Sequence, residues 1–116
     1  MDITLGNIEA RFADMLWERE PLTTAEIVRL AAKEFDWKRT TTYTVLKRLS
    51  EKGLFKNDNG TVTSLISRDE FYAGQSEKFV NETFNGSLQM FLAAFTSRKK
   101  LTKEEINEIK KMIEEA

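Results

Sequence analysis

The chain has 116 residues, of which 41% are hydrophobic and 32% charged, with a net charge of −1. This composition is typical of one globular domain, or of a small domain with a helical appendage, and argues against a disordered protein. Cysteine and histidine are absent, which excludes disulfides, thiolate or imidazole metal sites, and nucleophilic catalysis by either side chain. No apolar run approaches the roughly 18 residues of a membrane-spanning helix, and the N-terminus lacks the basic and apolar regions of a secretion signal. We therefore expect a cytoplasmic protein without cofactor, metal or membrane insertion.

A first helix is predicted from Leu5 to Trp17, because apolar residues recur there at spacings of three and four. Asp2 or Thr4 could cap its start. Pro21 ends the pattern, since proline cannot continue a helix. The residues expected on the buried stripe are Leu5, Ile8, Phe12, Met15 and Leu16.

A second helix is predicted from Thr23 to Phe35. Thr23 and Glu26 have the spacing of a capping box, in which each side chain accepts a hydrogen bond from the backbone N–H of the other residue. The short stretch Pro21–Leu22 before it could form a brief strand. The buried stripe of this helix is expected to contain Ile27, Leu30, Ala31 and Phe35.

A third helix, within the stretch Trp37 to Gly53, has two chemically different faces. One face has the spacing of a buried stripe, formed by Thr42, Val45, Leu46 and Leu49. The opposite side carries hydroxyl and charged groups, at Thr40, Thr44, Lys47 and Glu51, with Thr41, Tyr43 and Arg48 on its flanks. Hydroxyls and amines donate to phosphates and base edges, and threonine methyls can touch thymine methyls, so this face suits a nucleic-acid groove. Gly53 ends the helix.

Positive charge is concentrated in this third helix and in the strand after it. Residues 38–57 hold six Lys or Arg and one Glu, a net charge of +5, whereas residues 1–37 carry −4 and residues 58–116 carry −2. A basic element on an acidic body is the electrostatic pattern expected of a DNA-binding surface. The charge alone fits a locally basic, solvated helix equally well.

A β-hairpin is predicted after the third helix, with its turn at Asn59-Gly60. Both residues tolerate positive φ, which favours a two-residue hairpin turn between strands Phe55–Asp58 and Thr61–Ile66. A short turn at Asp36–Lys38 would join the second and third helices. Helix, brief strand, helix, turn, helix and hairpin is the order of a winged helix-turn-helix domain. We assign residues 1–67 to this domain.

The remaining residues, 68–116, contain only helical patterns. Helices are predicted at Asp69–Thr83, at Ser87–Ser97 after the break at Asn85-Gly86, and after the Thr102/Glu105 capping box. Three short helices with aromatic stripes cannot bury those stripes alone. They could fold back on the first domain, but packing against a second copy accounts better for the excess of aromatic surface. The expected interface residues are Phe79, Phe84, Leu88, Phe91, Leu92, Phe95, Ile106, Ile109 and Ile113. The predicted fold is therefore mainly α with a small β wing: a winged helix domain followed by a three-helix dimerisation domain.

Motifs along nearly the whole chain resemble those of the penicillinase-repressor and methicillin-resistance-repressor family, which also includes copper-responsive repressors. The specific combination is Thr41, Thr44, Arg48 and Gly53 in the third helix, followed by F-N-G-S-L from Phe84 and L-T-K-E-E-I from Leu101. The other matching positions are Trp17, the T-x-x-E-I of Thr23 to Ile27, Trp37, Leu46, Leu49 and Lys52. The resemblance implies a winged helix domain, a three-helix dimerisation domain, and a dimer that represses transcription from palindromic operators.

Carried over by position, the resemblance also implies which residues contact DNA. In the recognition helix these are Arg39, Thr40, Thr41, Tyr43, Thr44 and Lys47. Arg48 is expected at the edge, as a phosphate contact or as an ion-pair partner within the domain. In the wing the expected contacts are Lys56, Asn59 and Thr61. Thr41 lies near the helix start, where a hydroxyl or a backbone N–H can reach a phosphate.

Three departures from the family pattern bear on mechanism. The wing of the family usually carries basic and aromatic residues after its turn glycine, whereas here Gly60 is followed by Thr-Val-Thr-Ser. The cysteine-rich tail of copper-responsive relatives is missing, so copper sensing by that route is excluded. The β-lactam-responsive relatives are induced by cleavage of an Asn–Phe bond, which makes a membrane sensor-protease a candidate partner. The corresponding bond here, Ala94–Phe95, is a candidate cleavage site in which the Phe is kept and the Asn is lost. The interpretation of Phe95 as an interface aromatic is preferred.

Two functions of different classes fit these observations. The first is a sequence-specific DNA-binding transcriptional repressor that acts as a homodimer on a palindromic operator. The alternative is a winged helix protein–protein interaction module without DNA binding, which the weak wing and the acidic remainder of the chain would suit. No enzymatic activity is expected, because the carboxylates are scattered at helix-surface spacing; a carboxylate-only site remains formally open.

Overall fold

Six helices and three short strands follow one another in residues 3–116, the part of the chain that the computed structural model describes. They are α1 (Asn7–Arg19), β1 (Leu22–Thr23), α2 (Thr24–Phe35), α3 (Arg39–Glu51), β2 (Phe55–Asp58), β3 (Thr61–Ser64), α4 (Arg68–Phe84), α5 (Leu88–Arg98) and α6 (Lys103–Glu114). The chain forms two compact units, one up to Tyr72 and one from Ala73 onward. The predicted class, a winged helix-turn-helix followed by a helical domain, is confirmed.

The start of α1 differs from the prediction. Its N-cap is Gly6, so the expectation that Thr4 caps the helix was wrong, and the alternative cap, Asp2, lies outside the described residues. The Gly6 N–H donates to Glu9 Oε1 at 3.2 Å, which satisfies a backbone donor at the helix start. A hydrogen bond to the Glu9 side chain therefore stands at the helix start, where the Thr4 hydroxyl was expected.

Both predicted capping boxes are present. Thr23 accepts the Glu26 N–H on its hydroxyl, and Glu26 accepts the Thr23 N–H, both at 3.2 Å. The pair Thr102 and Glu105 makes the same two bonds at 3.1 and 2.9 Å. Hydrogen bonds from the threonine hydroxyl and backbone lower the pKa of each of these glutamates. These bonds fix where α2 and α6 begin.

The strands form one antiparallel sheet in the order β1-β3-β2. Asp58 pairs with Thr61 across the turn, where Asn59 and Gly60 have φ values of 53° and 89°, as the predicted two-residue turn requires. Strand β3 ends at Ser64, two residues before the predicted end.

Glu20, the residue after α1, and Trp17 of α1 bond to the end of β3 and to the segment that follows it. The N–H and hydroxyl of Ser64 both donate to Glu20 Oε1 at 2.8 Å. Two residues later, the carbonyl of Ile66 accepts the indole N–H of Trp17 at 2.9 Å. Leu65, the residue after Ser64, still donates its N–H to Leu54 O at 2.8 Å. The end of β3 is therefore held by side chains near the end of α1 on one side and by the segment before β2 on the other.

The core of the first unit is where α1, α2, α3 and the sheet meet. Its largest fully buried side chains are Phe12, Leu16, Ile27, Thr42, Leu49, Leu54, Phe55 and Val62. Trp17 packs at its edge, with ring centroids 5.2 Å from Phe55 and 5.5 Å from Phe71. The buried stripe of α3 (Thr42, Val45, Leu46 and Leu49) is as predicted, so the opposite face of that helix is turned to solvent.

Gly53, which follows α3, allows a clean test of backbone strain. Its φ is +80°, and a Cβ placed there would meet no atom within 4 Å. Gly53→Ala should therefore lower the free energy of unfolding through backbone conformation alone, by about 1 kcal/mol. The matched control is Gly74→Ala in α4, where a Cβ also meets nothing within 4 Å and alanine should stabilise by about 0.5–1 kcal/mol. Urea unfolding of both variants should give opposite signs, and equal signs would contradict this interpretation.

The second unit consists of the rest of α4 with α5 and α6. Asn85 and Gly86, at φ values of 51° and 79°, separate α4 from α5 as predicted. The hydroxyl of Ser87 accepts the Met90 N–H at 3.1 Å and caps α5. Neither α5 nor α6 has a buried residue. Across residues 3–116, none of the helices has the length and apolar content needed to cross a membrane.

Candidate nucleic-acid interface

The outward face of α3 carries all the residues that the sequence placed on a recognition helix. Packing of the four-residue stripe on the core orients this face, and the one polar member, Thr42, satisfies its buried hydroxyl by donating to Lys38 O at 3.2 Å. The exposed residues are Arg39, Thr40, Thr41, Tyr43, Thr44, Lys47 and Arg48. The helix thus presents hydroxyl, phenol and cationic groups along its whole exposed length.

Arg39 and Tyr43 contact each other on the first turns of α3. The Arg39 guanidinium lies over the Tyr43 ring, 5.5 Å from its centroid, and one guanidinium nitrogen donates to the phenol oxygen at 3.4 Å. The hydrogen bond between Tyr43 and Thr24, and then the bond from Arg39, lower the pKa of Tyr43. Thr24 in turn donates its N–H to Gly60 O of the hairpin turn at 3.0 Å. Tyr43 therefore lies near Thr24, the first residue of α2, whose N–H is bonded to the hairpin turn.

Thr44 has its hydroxyl proton engaged. Its Oγ1 donates to Thr40 O at 2.9 Å, one helical turn earlier. The lone pairs and the methyl group remain on the exposed surface. Thr44 is therefore suited to accept from an amino group of adenine or cytosine, or to touch a thymine methyl, and it is poorly suited to donate to a phosphate.

Lys47 is a strongly solvent-exposed cation of the α3 face. Its amine lies 4.0 Å from Glu51, and the two side chains are 78% and 64% exposed. A surface pair of this length contributes little to stability. The Lys47 amine is therefore able to leave Glu51 for a stronger anionic partner.

Lys52 is directed inward, which sequence reasoning missed. Its amine donates to Thr4 O at 2.9 Å and to Glu9 Oε2 at 3.1 Å. Partial burial tends to raise the pKa of Glu9, but the Gly6 N–H, Lys52 and the charge of Arg48 together lower it. One of the six cations counted between residues 38 and 57 is thus neutralised within the fold. No spacing pattern could reveal this, since the partners lie 48 and 43 residues away.

The Glu9–Lys52 pair gives a prediction about pH. Glu9→Gln should lower the free energy of unfolding at pH 7 by about 1 kcal/mol, because it removes a charged hydrogen-bond acceptor from a partly buried amine. The folded-state pKa of Glu9 is lowered, so this contribution is present above the unfolded pKa and is lost as pH falls through the folded pKa. Urea unfolding of wild type and variant should therefore converge in acid. Glu18→Gln, an exposed carboxylate on the same helix, serves as the control; a Glu9→Gln deficit that stays constant into acid would refute the assignment.

The predicted wing contacts are all exposed. They are Lys56, Asn59 and Thr61. Lys56 is opposite Thr63 in the ladder, and Thr61 lies between Thr23 of β1 and Asp58 of β2. Within the hairpin strands Lys56 is balanced by Asp58, so the wing contributes little positive charge.

A groove joins α3 to the wing strand β2. It is lined by Tyr43, Leu46, Lys47, Ser50 and Asn57. The predicted contacts Tyr43 and Lys47 are therefore brought together with two residues that sequence reasoning did not select, Ser50 and Asn57. Asn57 could have been found from strand alternation, because it lies two residues after the buried Phe55 and opposite the buried Val62, on the other face of the hairpin from Lys56 and Asp58. The predicted contacts Lys56, Asn59 and Thr61 do not line this groove.

The second unit carries the surface predicted for dimerisation. Four phenylalanine rings contact one another in a row, with centroid separations of 5.8 Å for Phe79–Phe84, 5.7 Å for Phe84–Phe91 and 6.1 Å for Phe91–Phe95. The predicted interface residues that are exposed are Phe79, Leu88, Phe95, Ile106 and Ile113, and those half-buried are Phe84, Phe91, Leu92 and Ile109. Ala94, before Phe95, is also exposed. This unit therefore leaves a large apolar surface uncovered within one chain.

Known proteins match this chain over nearly its whole length. The penicillinase repressor family matches residues 5–115. The chain is 29% identical over 115 residues to the penicillinase repressor of Bacillus licheniformis, covering 96% of this chain and 90% of that protein. It is 23% identical over 113 residues to the methicillin resistance regulatory protein MecI of Staphylococcus aureus, covering 94% and 92%, and 22% identical to MecI of Mammaliicoccus sciuri. The match extends over both units, so the chain belongs to the penicillinase repressor family of transcriptional repressors.

Proposed function

We propose that this repressor acts as a homodimer that binds a palindromic DNA operator, with α3 of each copy in a major groove. The observation that carries the proposal is the two-faced α3: four core-facing residues hold it in place, and its outward face offers threonines, a tyrosine and cations. A helix held this way can enter the major groove, which is wide enough to admit it. In this proposal residues 1–67 bind DNA and residues 68–116 dimerise.

The uncovered apolar surface of the second unit supports the homodimer. Helices α5 and α6 bury no residue within one chain, although their stripes contain phenylalanine, leucine and isoleucine. An isologous interface would bury this surface on both copies, since each copy covers the other. It would also set the two recognition helices at a fixed spacing. A palindromic operator is the DNA sequence that matches such a two-fold pair.

The proposed role of each α3 side chain follows from its hydrogen bonds and its exposure. Thr44, whose hydroxyl proton is bonded to Thr40 O, would face a base edge as an acceptor or through its methyl group. Lys47, exposed and weakly paired, would hold a phosphate. Arg48 would lie at the edge, since its charge acts on Glu9. Specificity and affinity would therefore come from different residues of one helix.

Fluorescence anisotropy with the duplex upstream of the protein's own gene tests the proposal. An unrelated duplex of equal length is the control, and each is titrated at two salt concentrations. We expect tighter binding to the upstream duplex and a fall of affinity with salt on both. Absence of salt-sensitive binding at micromolar protein would reject the proposal and would favour the alternative, a protein–protein interaction module.

A further inference from the structure

The groove between α3 and β2 has a mainly apolar surface with polar side chains placed around it. Its five lining residues are Tyr43, Leu46, Lys47, Ser50 and Asn57. None of them is a carboxylate. Lys47 supplies three N–H donors and Ser50 a hydroxyl, so the polar groups around the groove suit an anion.

Asn57 is held in one orientation by the hairpin turn. Its Oδ1 accepts the Gly60 N–H at 2.9 Å. Because the carbonyl end of the amide is occupied in this way, the NH₂ end is the part left to interact with a ligand. Asn57 is exposed, so these two donors can reach a molecule lying over the groove. The hairpin turn thus converts a side chain that can donate or accept into a donor.

Leu46 gives the groove an apolar element. It belongs to the buried stripe of α3 and is 4% exposed. A deoxyribose presents carbon–hydrogen faces beside its charged phosphate, so a partly apolar wall with several donors suits a sugar–phosphate unit. Donors alone also fit the O6 and N7 acceptors of guanine, and the experiment below separates that base contact from a backbone contact.

We propose that the α3–β2 groove binds the sugar–phosphate backbone of the operator, with Lys47, Ser50 and Asn57 as its donors. The inference rests on the proposed DNA-binding function and assigns to Asn57 and Ser50 a positioning role that the sequence did not indicate. It also accounts for a wing with little charge: the contact between wing and backbone is made by an oriented amide on β2, next to a lysine supplied by α3. Contacts of this kind fix register on the duplex without reading its sequence.

Two substitutions of Asn57 separate its donor role from its structural role. In Asn57→Ser the hydroxyl can still accept the Gly60 N–H, but the NH₂ donors are lost. In Asn57→Asp the acceptor is kept and the donors are replaced by an anionic oxygen. We expect Asn57→Ser to weaken binding about fivefold, the size of one net hydrogen bond, and Asn57→Asp to weaken it more. For each variant, the fold-loss of affinity should be the same on the operator as on the unrelated duplex.

Ser50→Ala and a charge-matched control complete the experiment. Ser50→Ala should weaken binding to both duplexes by a few-fold, roughly the effect of one hydroxyl donor. Asn7→Asp changes charge as Asn57→Asp does, at the exposed first residue of α1, and should leave affinity within about twofold. Far-ultraviolet circular dichroism and urea unfolding of each variant verify that the wing and core remain folded.

The outcomes distinguish the groove from the function on which it rests. If wild type binds no duplex in a salt-sensitive way, the repressor mechanism itself is rejected. If wild type binds and Lys47→Ala weakens it, but Asn57→Asp binds both duplexes as wild type does, the groove is not a backbone site, while DNA binding through α3 stands. If Asn57→Ser loses affinity for the operator alone, Asn57 contacts a base edge, and the backbone assignment is overturned.

Discussion

Replacing Ile113 by aspartate is expected to convert the protein to monomers and to lower operator affinity by about 100-fold. Ile113 is 58% exposed on a helix that buries no residue within its own chain, so its loss should do little to the single chain. In a two-fold interface the substitution places a desolvated carboxylate at two positions. Two half-site contacts that are held together bind about 10²–10⁴-fold more tightly than one, and that advantage disappears in the monomer.

Sedimentation velocity and operator anisotropy on the same samples measure the two effects together. Asn107→Asp introduces the same charge on an exposed position of α6 away from the Ile106–Ile109–Ile113 stripe, and should remain a dimer. Phe91→Asp should also give monomers with reduced operator affinity, but Phe91 contacts Phe79, Phe84 and Phe95, so that variant would disturb the unit itself. A monomeric wild type, or an Ile113→Asp dimer with full affinity, would contradict the proposed interface.

Alanine at Lys47 and at Thr44 is expected to weaken DNA binding in two different ways. Lys47→Ala should lower affinity for operator and unrelated duplex alike and reduce the slope of log affinity against log salt by about one, because one phosphate contact is lost. Thr44→Ala should lower affinity for the operator by about 1–3 kcal/mol and leave the unrelated duplex and the salt slope unchanged. The difference follows from Lys47 being weakly paired and Thr44 having its hydroxyl proton engaged.

Titrations of both variants at two salt concentrations, on both duplexes, provide the measurement. Lys33→Ala is the matched control, since Lys33 is an exposed cation in the last turn of α2, away from the α3 face. It should retain the wild-type slope. Unchanged affinity in both Lys47→Ala and Thr44→Ala would remove α3 as the recognition helix, whatever the state of the dimer.

The elements of the winged helix could be predicted from sequence because each has a local physical cause. The stripe of Thr42, Val45, Leu46 and Leu49 repeats at the period of an α-helix and is the buried face of α3. Asn59 and Gly60 tolerate the positive φ that the two-residue turn imposes. The Thr23–Glu26 and Thr102–Glu105 boxes join residues only three positions apart. Interactions between residues a few positions apart can be predicted from a single sequence.

The features that sequence analysis missed depend on residues far apart along the chain. Lys52 bonds to Thr4 and Glu9, and Ser64 at the end of β3 bonds to Glu20. A count of charge along the sequence includes Lys52 among the exposed cations, but in the folded chain its charge is paired with Glu9. Gly6 replaces the expected cap because Glu9 reaches back to its N–H, an interaction that a search for Ser, Thr, Asp or Asn does not consider.

The candidate site likewise combines features that follow from local sequence patterns with features that depend on the fold. The exposed residues of α3 follow from helical periodicity once the buried face is known. The groove that adds Ser50 and Asn57 does not, because it depends on how β2 is placed against α3. The roles assigned to the DNA-contacting and dimer-interface residues remain predictions that the experiments above address.

The lack of buried residues in α5 and α6 has a consequence for dosage in the cell. If the second unit gains its packing from a partner copy, the amount of active repressor depends on the square of the monomer concentration when dimers are scarce. Operator occupancy would then fall more steeply than the protein level as the repressor is diluted by growth or degraded. A modest loss of repressor would then be enough to release the operator.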